Sequence, residues 1–271
     1  AKWDYKKREK TITYMDSLHS LAINLNPDLI LFPETALPAY LRLDRHVRGQ
    51  IQSKVDSSGI PVLTGTVDRT KSPDGKKQYF NSSMFLTPNH KYILYNKLHL
   101  VPFAEYIPLS DQFPSLNILN FGQGNFTHGS EYTVFEWKDI KFSNLICYES
   151  SIPGVVREFI QQGADMLTIQ TNDGWLGKSA GPYQHYDVAR IRAIENRVPV
   201  VRSANTGISG LILANGVSIK EQGLGEMAVF KVIVPLGATG SFYSRNGDVF
   251  AMICFVIFLL LGPIPCIRRR S

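Results

Sequence analysis

The segment NLICYESSIPG, residues 144–154, places a thiol at the end of an apolar run. Leu145 and Ile146 lead directly into Cys147, and a Pro-Gly pair closes the segment. A short apolar run bounded by turn residues is typical of a buried strand, and proline is typical of the first turn of a helix. The segment therefore predicts a strand that ends at Cys147 and leads into a helix over residues 153–164.

The rest of the chain alternates between helical and strand patterns. Apolar spacing predicts helices over residues 4–26 and 182–197, the second with Val188, Ile191 and Ile194 on its inner face. Alternating or continuous apolar runs predict strands over residues 28–34, 61–69, 78–88, 91–103, 165–174, 198–207, 209–215 and 226–236, and a strand pair over residues 132–150. Hairpin turns are predicted at Asn89-His90 and Lys138-Asp139. This alternation predicts an α/β layered fold with a mixed sheet.

The C-terminal segment has the pattern of a membrane span. Residues 249–267 follow Asp248 without a single charged residue, and arginines occupy residues 268–270. As a helix, the uncharged run would measure about 28 Å, close to the hydrocarbon thickness of a bilayer. We therefore expect one domain over residues 1–245, and a transmembrane helix with a short basic cytoplasmic tail over residues 246–271. A buried core helix is the alternative for this segment.

Composition narrows the possible function classes. The formal net charge is +6, but basic clusters occur only near the two ends, without the basic stripe expected of a nucleic-acid binding face. The six histidines are scattered and the three cysteines show no metal-ligand spacing and no disulfide framework. We expect no metal, no other cofactor and no nucleic-acid partner.

Three polar residues, Glu34, Lys97 and Cys147, follow apolar strands. Ligands gather at strand ends in α/β sheets, so these residues are candidates for one shared site. A carboxylate can take the proton of a thiol, and an ammonium can stabilise first the thiolate and then the oxyanion that forms on attack. Taken singly, each has a structural explanation, since a lone cysteine packs as a small hydrophobe, Glu34 caps a turn and Lys97 reaches the surface. Their combination indicates nucleophilic catalysis.

Three segments, LFPETALP (31–38), YNKLHLVPFAEYIP (95–108) and ICYESSIPG (146–154), resemble the nitrilase, or carbon–nitrogen hydrolase, superfamily. Within it the chain resembles the apolipoprotein N-acyltransferases more than the soluble nitrilases. That likeness rests on PFAEYIP after the lysine, on Tyr-Glu after the cysteine, on residues 172–212 and on the C-terminal apolar span. It covers most of residues 3–267.

The resemblance implies a nitrilase-like αββα sandwich with a C-terminal transmembrane helix and a Glu-Lys-Cys triad. Glu34 is then the general base, Lys97 the oxyanion stabiliser and Cys147 the nucleophile. Glu105 matches the family's accessory acid and is expected to orient Lys97.

The same likeness assigns further residues to the site. Tyr148 and Glu149 match the family's Tyr-Glu pair and are expected to support the triad. A local ion pair between Glu149 and Arg157 is the alternative for that carboxylate. Trp3 and Trp175 are candidate substrate-binding residues, with simple packing as the alternative for each.

The activity that the resemblance implies is a ping-pong acyl transfer in bacterial lipoprotein maturation. Cys147 takes an acyl chain from a phospholipid as a thioester, and the α-amine of the diacylglyceryl-cysteine of an apolipoprotein accepts it. We expect a monomer in the inner membrane with its catalytic domain on the periplasmic side, and the loop over residues 104–130 as an apolar lid or a packed loop. AKWDYKKREK is not a signal peptide, so we also expect upstream transmembrane spans and a first sheet strand, as in the family.

Two other functions stay open on the residues alone. The same triad would serve an amidase or nitrilase that hydrolyses a small carbon–nitrogen substrate. A catalytically inert, membrane-anchored binding module on the same scaffold is the second alternative. Release of lysophospholipid would distinguish acyl transfer from hydrolysis, and the reactivity of Cys147 would distinguish both from an inert module.

Overall fold

The computed structural model describes residues 5–110, 112–119, 125–237 and 240–261. The strands are β1 (Ile30–Leu31), β2 (Val62–Lys71), β3 (Lys77–Thr87), β4 (Lys91–Asn96), β5 (Val134–Trp137), β6 (Ile140–Ile146), β7 (Met166–Asn172), β8 (Val200–Asn205), β9 (Ser209–Ile212) and β10 (Ser218–Gln222). They form a four-stranded sheet in the order β1-β2-β3-β4 and a six-stranded sheet in the order β10-β9-β8-β7-β6-β5.

Helices pack on the outer face of each sheet. The described helices are α1 (Tyr5–Asn24), α2 (Arg45–Ser58), α3 (Pro153–Gln161), α4 (Gly181–Asn196), α5 (Phe242–Asn246) and α6 (Val249–Leu261), with short 3-10 turns at Pro114–Leu119, Cys147–Ser151 and Asp173–Leu176. The first two pack on the four-stranded sheet, while α3 and α4 pack on the six-stranded sheet. The α/β prediction is therefore confirmed, with two mixed sheets rather than one.

Alternation along the strands builds the layers. Val62 and Met84 join the cluster beneath α1 and α2, whereas their neighbours Leu63 and Phe85 join the cluster that reaches the second sheet. Phe85 contacts Phe142 of β6 with the ring centroids 5.3 Å apart. Because successive strand residues point to opposite faces, one apolar strand can serve both cores. The result is the αββα sandwich that the resemblance implies.

Strand directions bring the predicted site residues to one end of the sandwich. β1 and β2 are parallel, and the two antiparallel pairs β2–β3 and β3–β4 make β4 run the same way as β1. In the other sheet β6, β7 and β8 are mutually parallel. The carboxyl ends of parallel strands share an edge, so the loops after β1 and β4 meet, as do those after β6 and β7.

Both predicted hairpin turns are confirmed. Three residues, Pro88, Asn89 and His90, connect β3 and β4, and the last two have left-handed φ values of 68° and 57°. Lys138 has φ 54° in the turn between β5 and β6.

Four details differ from the sequence predictions. The inner face of α4 is not formed by Val188, Ile191 and Ile194, since the last two are 46% and 52% exposed. Its buried positions are Pro182, Tyr186, Ala189, Arg192, Ala193 and Asn196. The sequence analysis did not assign α2 or β10, and residues 226–236, predicted as a strand, form no strand in the described structure.

The C-terminal helix α6 covers only part of the predicted membrane span. Its described residues, 249–261, are all uncharged, and all but the half-buried Val249 are exposed. Residues 262–267 of the predicted span lie outside the described residues. Within the described ranges, no helix has both the length and the apolar character required to cross a membrane.

Candidate active site

Glu34, Lys97 and Cys147 converge at one edge of the sandwich, between the two sheets. Glu34 follows β1 after a short loop, Lys97 follows β4 directly and Cys147 follows β6 directly. The charges of Glu34 and Cys147 both raise the pKa of Lys97, so the three groups are within electrostatic reach of one another. The structure brings the predicted residues together, while their catalytic roles stay a prediction.

The position of Glu34 depends on an amide and on a glycine. The side chain of Asn81 in β3 donates to Glu34 Oε1 at 2.8 Å and to Glu105 Oε1 at 2.9 Å. A Cβ on Gly65 of β2 would lie 2.6 Å from the backbone nitrogen of Thr35 and 2.7 Å from Glu34 Cα. Only a residue without a side chain therefore allows the loop that carries Glu34 to pack this closely.

Burial changes the protonation behaviour of Glu34. Removal from water raises the pKa of this carboxyl, although the positive charge of Lys97 and the hydrogen bond from Asn81 act in the opposite direction. A carboxylate with a raised pKa is a stronger base than an ordinary surface glutamate, which suits it to accept a proton from a thiol or an amine.

Lys97 is a buried ammonium held by Glu105. Its Nζ donates to Glu105 Oε2 at 2.8 Å, and the backbone N–H of Val101 donates to the same oxygen at 2.8 Å. Burial alone lowers the pKa of Lys97, but the negative groups around it, led by Glu105, raise it above its ordinary value. The lysine therefore stays charged in a site that excludes most water.

Cys147 has an unusual backbone conformation. Its φ is 52°, in the left-handed region that residues other than glycine seldom adopt. Removal from water and the charge of Glu34 raise the pKa of its thiol to about 12, against the lowering effect of Lys97. The resting site therefore holds a thiol rather than a thiolate.

Glu149 joins the segment of Lys97 to the segment of Cys147. Its Oε1 accepts from the Tyr95 hydroxyl at 2.8 Å and from the backbone N–H groups of Leu98 at 2.7 Å and His99 at 3.2 Å. Its Oε2 accepts from the N–H of Ile146 at 2.8 Å. The carboxylate thus ties the residue after Lys97 to the residue before Cys147, rather than forming the alternative ion pair with an arginine of α3.

Gln170 of β7 forms the matching tether for the segment of Glu34. Its side-chain amide donates to the carbonyl oxygen of Phe32 at 2.5 Å and to that of Leu63 at 3.2 Å. Its oxygen accepts from Ser83 and Asn144 at 2.5 and 3.0 Å, so the buried amide is fully paired. Through it, the loop that leads to Glu34 is fixed to the sheet that carries Cys147.

A sequence profile of the carbon-nitrogen hydrolase family matches residues 3–241. The chain belongs to this family. Curated relatives include an apolipoprotein N-acyltransferase of Geobacter metallireducens, 36% identical over 100% of this chain and 52% of its own length. The enzyme of the same name from Chlorobaculum tepidum is 34% identical over 99% of this chain and 55% of its own length. The chain thus spans about half the length of these relatives.

Solved structures agree on the fold. An amidase from Nesterenkonia sp. superposes with a TM-score of 0.62 at 17% sequence identity, over 92% of this chain and 90% of that one. The sandwich fold of this chain is therefore shared with that amidase.

The remaining predicted residues have different surroundings. Tyr148 follows the cysteine in the 3-10 turn and is 38% exposed. Trp175 lies beyond the end of β7 and is 63% exposed, so it does not pack in the core. Trp3 lies outside the described residues.

Sequence reasoning missed Asn81 and Gln170 as parts of the site. Both are buried polar residues within strands. A buried polar residue needs partners, so an amide within a strand was the available signal. No local pattern indicated which groups would pair with them.

Proposed function

We propose that this chain is the catalytic part of a phospholipid-dependent apolipoprotein N-acyltransferase that acts through a thioester on Cys147. The observation that carries the proposal is the cluster of the buried Glu34 and Lys97 with the half-buried Cys147, in a chain that is 36% identical to a relative of that name. Monomeric function and a phospholipid donor are part of the proposal.

In the first half-reaction, Cys147 attacks the ester carbonyl of a phospholipid. The thiol proton passes to Glu34 as the sulfur–carbon bond forms, and the ammonium of Lys97 stabilises the oxyanion. Collapse of the tetrahedral intermediate breaks the ester bond, and Glu34 returns the proton to the leaving alkoxide of the lysophospholipid. Because the pKa of the thiol is about 12, transfer to a nearby base is a more accessible route than prior ionisation.

In the second half-reaction, the α-amine of a diacylglyceryl-cysteine attacks the thioester. Glu34 takes a proton from the amine, and Lys97 again faces the oxyanion. The carbon–sulfur bond breaks, the sulfur regains a proton and the acyl chain leaves as an amide. Glu105 and Glu149 support these steps by holding Lys97 and the backbone on both sides of the nucleophile. Tyr148, Trp175 and Trp3 are proposed to contact the lipid substrates.

Intact-protein mass spectrometry after incubation with phospholipid tests the reaction. We expect an added acyl mass on the wild-type protein that hydroxylamine or a diacylglyceryl-cysteine peptide removes. Cys147→Ala should carry no adduct, whereas Cys254→Ser, a control at an exposed thiol in α6, should behave as wild type. An adduct that water clears without an acceptor would support a hydrolase, and an unreactive Cys147 would support an inert binding module.

We also propose that residues 246–271 anchor the domain to the bacterial inner membrane, with the domain on the periplasmic side and further spans upstream. Support comes from the uncharged run over residues 249–267, the arginines after it, and the exposure of residues 250–261 of the apolar α6. Single cysteines at Glu226 and Ser271, in a background without Cys147, Cys254 and Cys266, test the orientation in spheroplasts. An impermeant maleimide should label position 226 at once and position 271 only after permeabilisation, and the reverse pattern would refute the proposed topology.

A further inference from the structure

Asp173 is the centre of a buried polar cluster behind the nucleophile. It follows β7, and its Oδ1 accepts from the Thr171 hydroxyl at 2.9 Å and lies 2.8 Å from His185 Nδ1. Its Oδ2 accepts from Arg202 at 2.6 Å. Because a carboxylate offers only acceptors, Nδ1 of His185 is the donor in this pair. A Cβ on Gly207 would lie 2.2 Å from Oδ2, so the carboxylate occupies space that a side chain there would fill.

Two arms of this cluster reach Cys147. In one, the carbonyl oxygen of Cys147 accepts from the Ser150 hydroxyl at 2.8 Å, and His185 Nε2 lies 3.2 Å from that carbonyl and 3.0 Å from the Ser150 oxygen. Because both oxygens act as acceptors toward Nε2, this contact is a hydrogen bond when the ring carries hydrogens on both nitrogens. In the other, the Thr171 hydroxyl has one hydrogen, which it donates to Asp173 beside the thiol and can turn to the sulfur once Cys147 ionises. The cluster therefore touches both the backbone and the thiol of the same residue.

The backbone arm bears on a conformation that is unfavourable by itself. A left-handed φ at a residue other than glycine is strained and persists only where surrounding contacts determine it. The carbonyl of Cys147 is enclosed by His185 and Ser150, and the φ of 52° at that residue sets the direction of the side chain. We propose that His185 and Thr171, both of which contact Asp173, are the positioning residues that hold Cys147 in its reactive orientation.

This inference rests on the proposed role of Cys147 as the nucleophile. The charged groups that face the thiol are Glu34, Lys97 and Asp173. The negative charge of Asp173 opposes ionisation of the thiol, whereas the Thr171 hydrogen bond favours it. Since Asp173 and Arg202 also form a buried ion pair, variants of the two arms are cleaner probes than variants of Asp173 itself.

A pair of substitutions at His185 tests the backbone arm. The amide of His185→Gln can replace Nε2 against the Cys147 carbonyl, whereas the amide of His185→Asn replaces only Nδ1 against Asp173. We expect the rate of iodoacetamide alkylation of Cys147, and of thioester formation, to fall by about tenfold or more in His185→Asn. His185→Gln should retain most of both rates, with KM for phospholipid unchanged in each variant. Equal rates in the two variants would overturn the inference.

A second pair, at Thr171, tests the thiol arm. Thr171→Val keeps the shape and removes the hydroxyl, so it should slow alkylation at a fixed, mildly alkaline pH by about tenfold for each pKa unit lost, while Thr171→Ser restores the rate. Thr70→Val, on β2, is the control for a threonine that does not contact Cys147. Alkylation needs no lipid, so its result stands even if the acyltransferase proposal fails. A Thr171→Val protein that melts earlier but alkylates at the wild-type rate would show a purely structural role.

Discussion

Glu149→Gln is expected to destabilise the protein and to slow its chemistry together. The fully buried carboxylate accepts four hydrogen bonds, from Tyr95, Leu98, His99 and Ile146. A glutamine offers one oxygen, so its NH₂ group would face the Ile146 N–H and leave that donor unpaired at about 1–3 kcal/mol. The other three bonds lose their charge-assisted character, at about 1 kcal/mol in total.

The expected loss in the free energy of unfolding is therefore about 2–4 kcal/mol, or roughly 5–15 °C in Tm for a chain of this size. Because the carboxylate ties Lys97 to Cys147, thioester formation should also slow by about tenfold to hundredfold. Tyr95→Phe, which removes a single donor, should cost only about 1 kcal/mol.

Differential scanning fluorimetry and the rate of thioester formation measure the two effects. The matched control is Glu136→Gln on β5, where the carboxylate is exposed and the expected change in stability is below about 0.5 kcal/mol. If Glu149→Gln has the same Tm as this control and forms the thioester at the wild-type rate, the carboxylate does not join the segments of Lys97 and Cys147.

Three further predictions concern other parts of the fold. Burial lowers the pKa of His19 from 6.5 to about 4, so between these pH values the unfolded chain binds a proton that the folded chain does not. The free energy of unfolding should therefore fall by about 3 kcal/mol as the pH drops from above 6.5 to about 4. In urea titrations, His19→Leu should abolish this loss. Gly65→Ala should displace Glu34 and lower the free energy of unfolding by about 1–3 kcal/mol. Gly49→Ala, on an exposed turn of α2 where a Cβ would have nothing within 4 Å, should raise it by about 0.5–1 kcal/mol. Equal Tm shifts in the two variants would contradict this. Gln170→Leu should cost on the order of 3 kcal/mol by urea denaturation, since it removes four buried hydrogen bonds, and wild-type stability would refute that role.

Local patterns predicted the elements well where one face of an element is buried. The strand that ends at Cys147, the turn at Asn89 and the helix that starts at Pro153 all follow from apolar runs and turn residues, and all are confirmed. The convergence of Glu34, Lys97 and Cys147 was predictable because each follows a strand.

The errors occurred where apolar content did not indicate burial. On α4 the sheet contacts the small residues Ala189 and Ala193, which allow close approach, while the larger Ile191 and Ile194 are exposed. Periodicity alone selects the larger apolar residues, so the prediction chose the wrong face. The partners of Glu149 come from positions about fifty residues away in sequence, beyond the reach of any local pattern.

The raised pKa of Cys147 has a consequence for the lifetime of the protein. Oxidants and electrophiles attack thiolates, and a pKa of about 12 in place of 9.0 leaves about a thousandth as much thiolate at neutral pH. Folding therefore passivates this cysteine, which is more vulnerable to sulfenic acid formation in the newly made, unfolded chain than in the mature protein. In an oxidising compartment Cys147 would therefore be exposed to oxidative damage mainly during biogenesis, before the chain has folded.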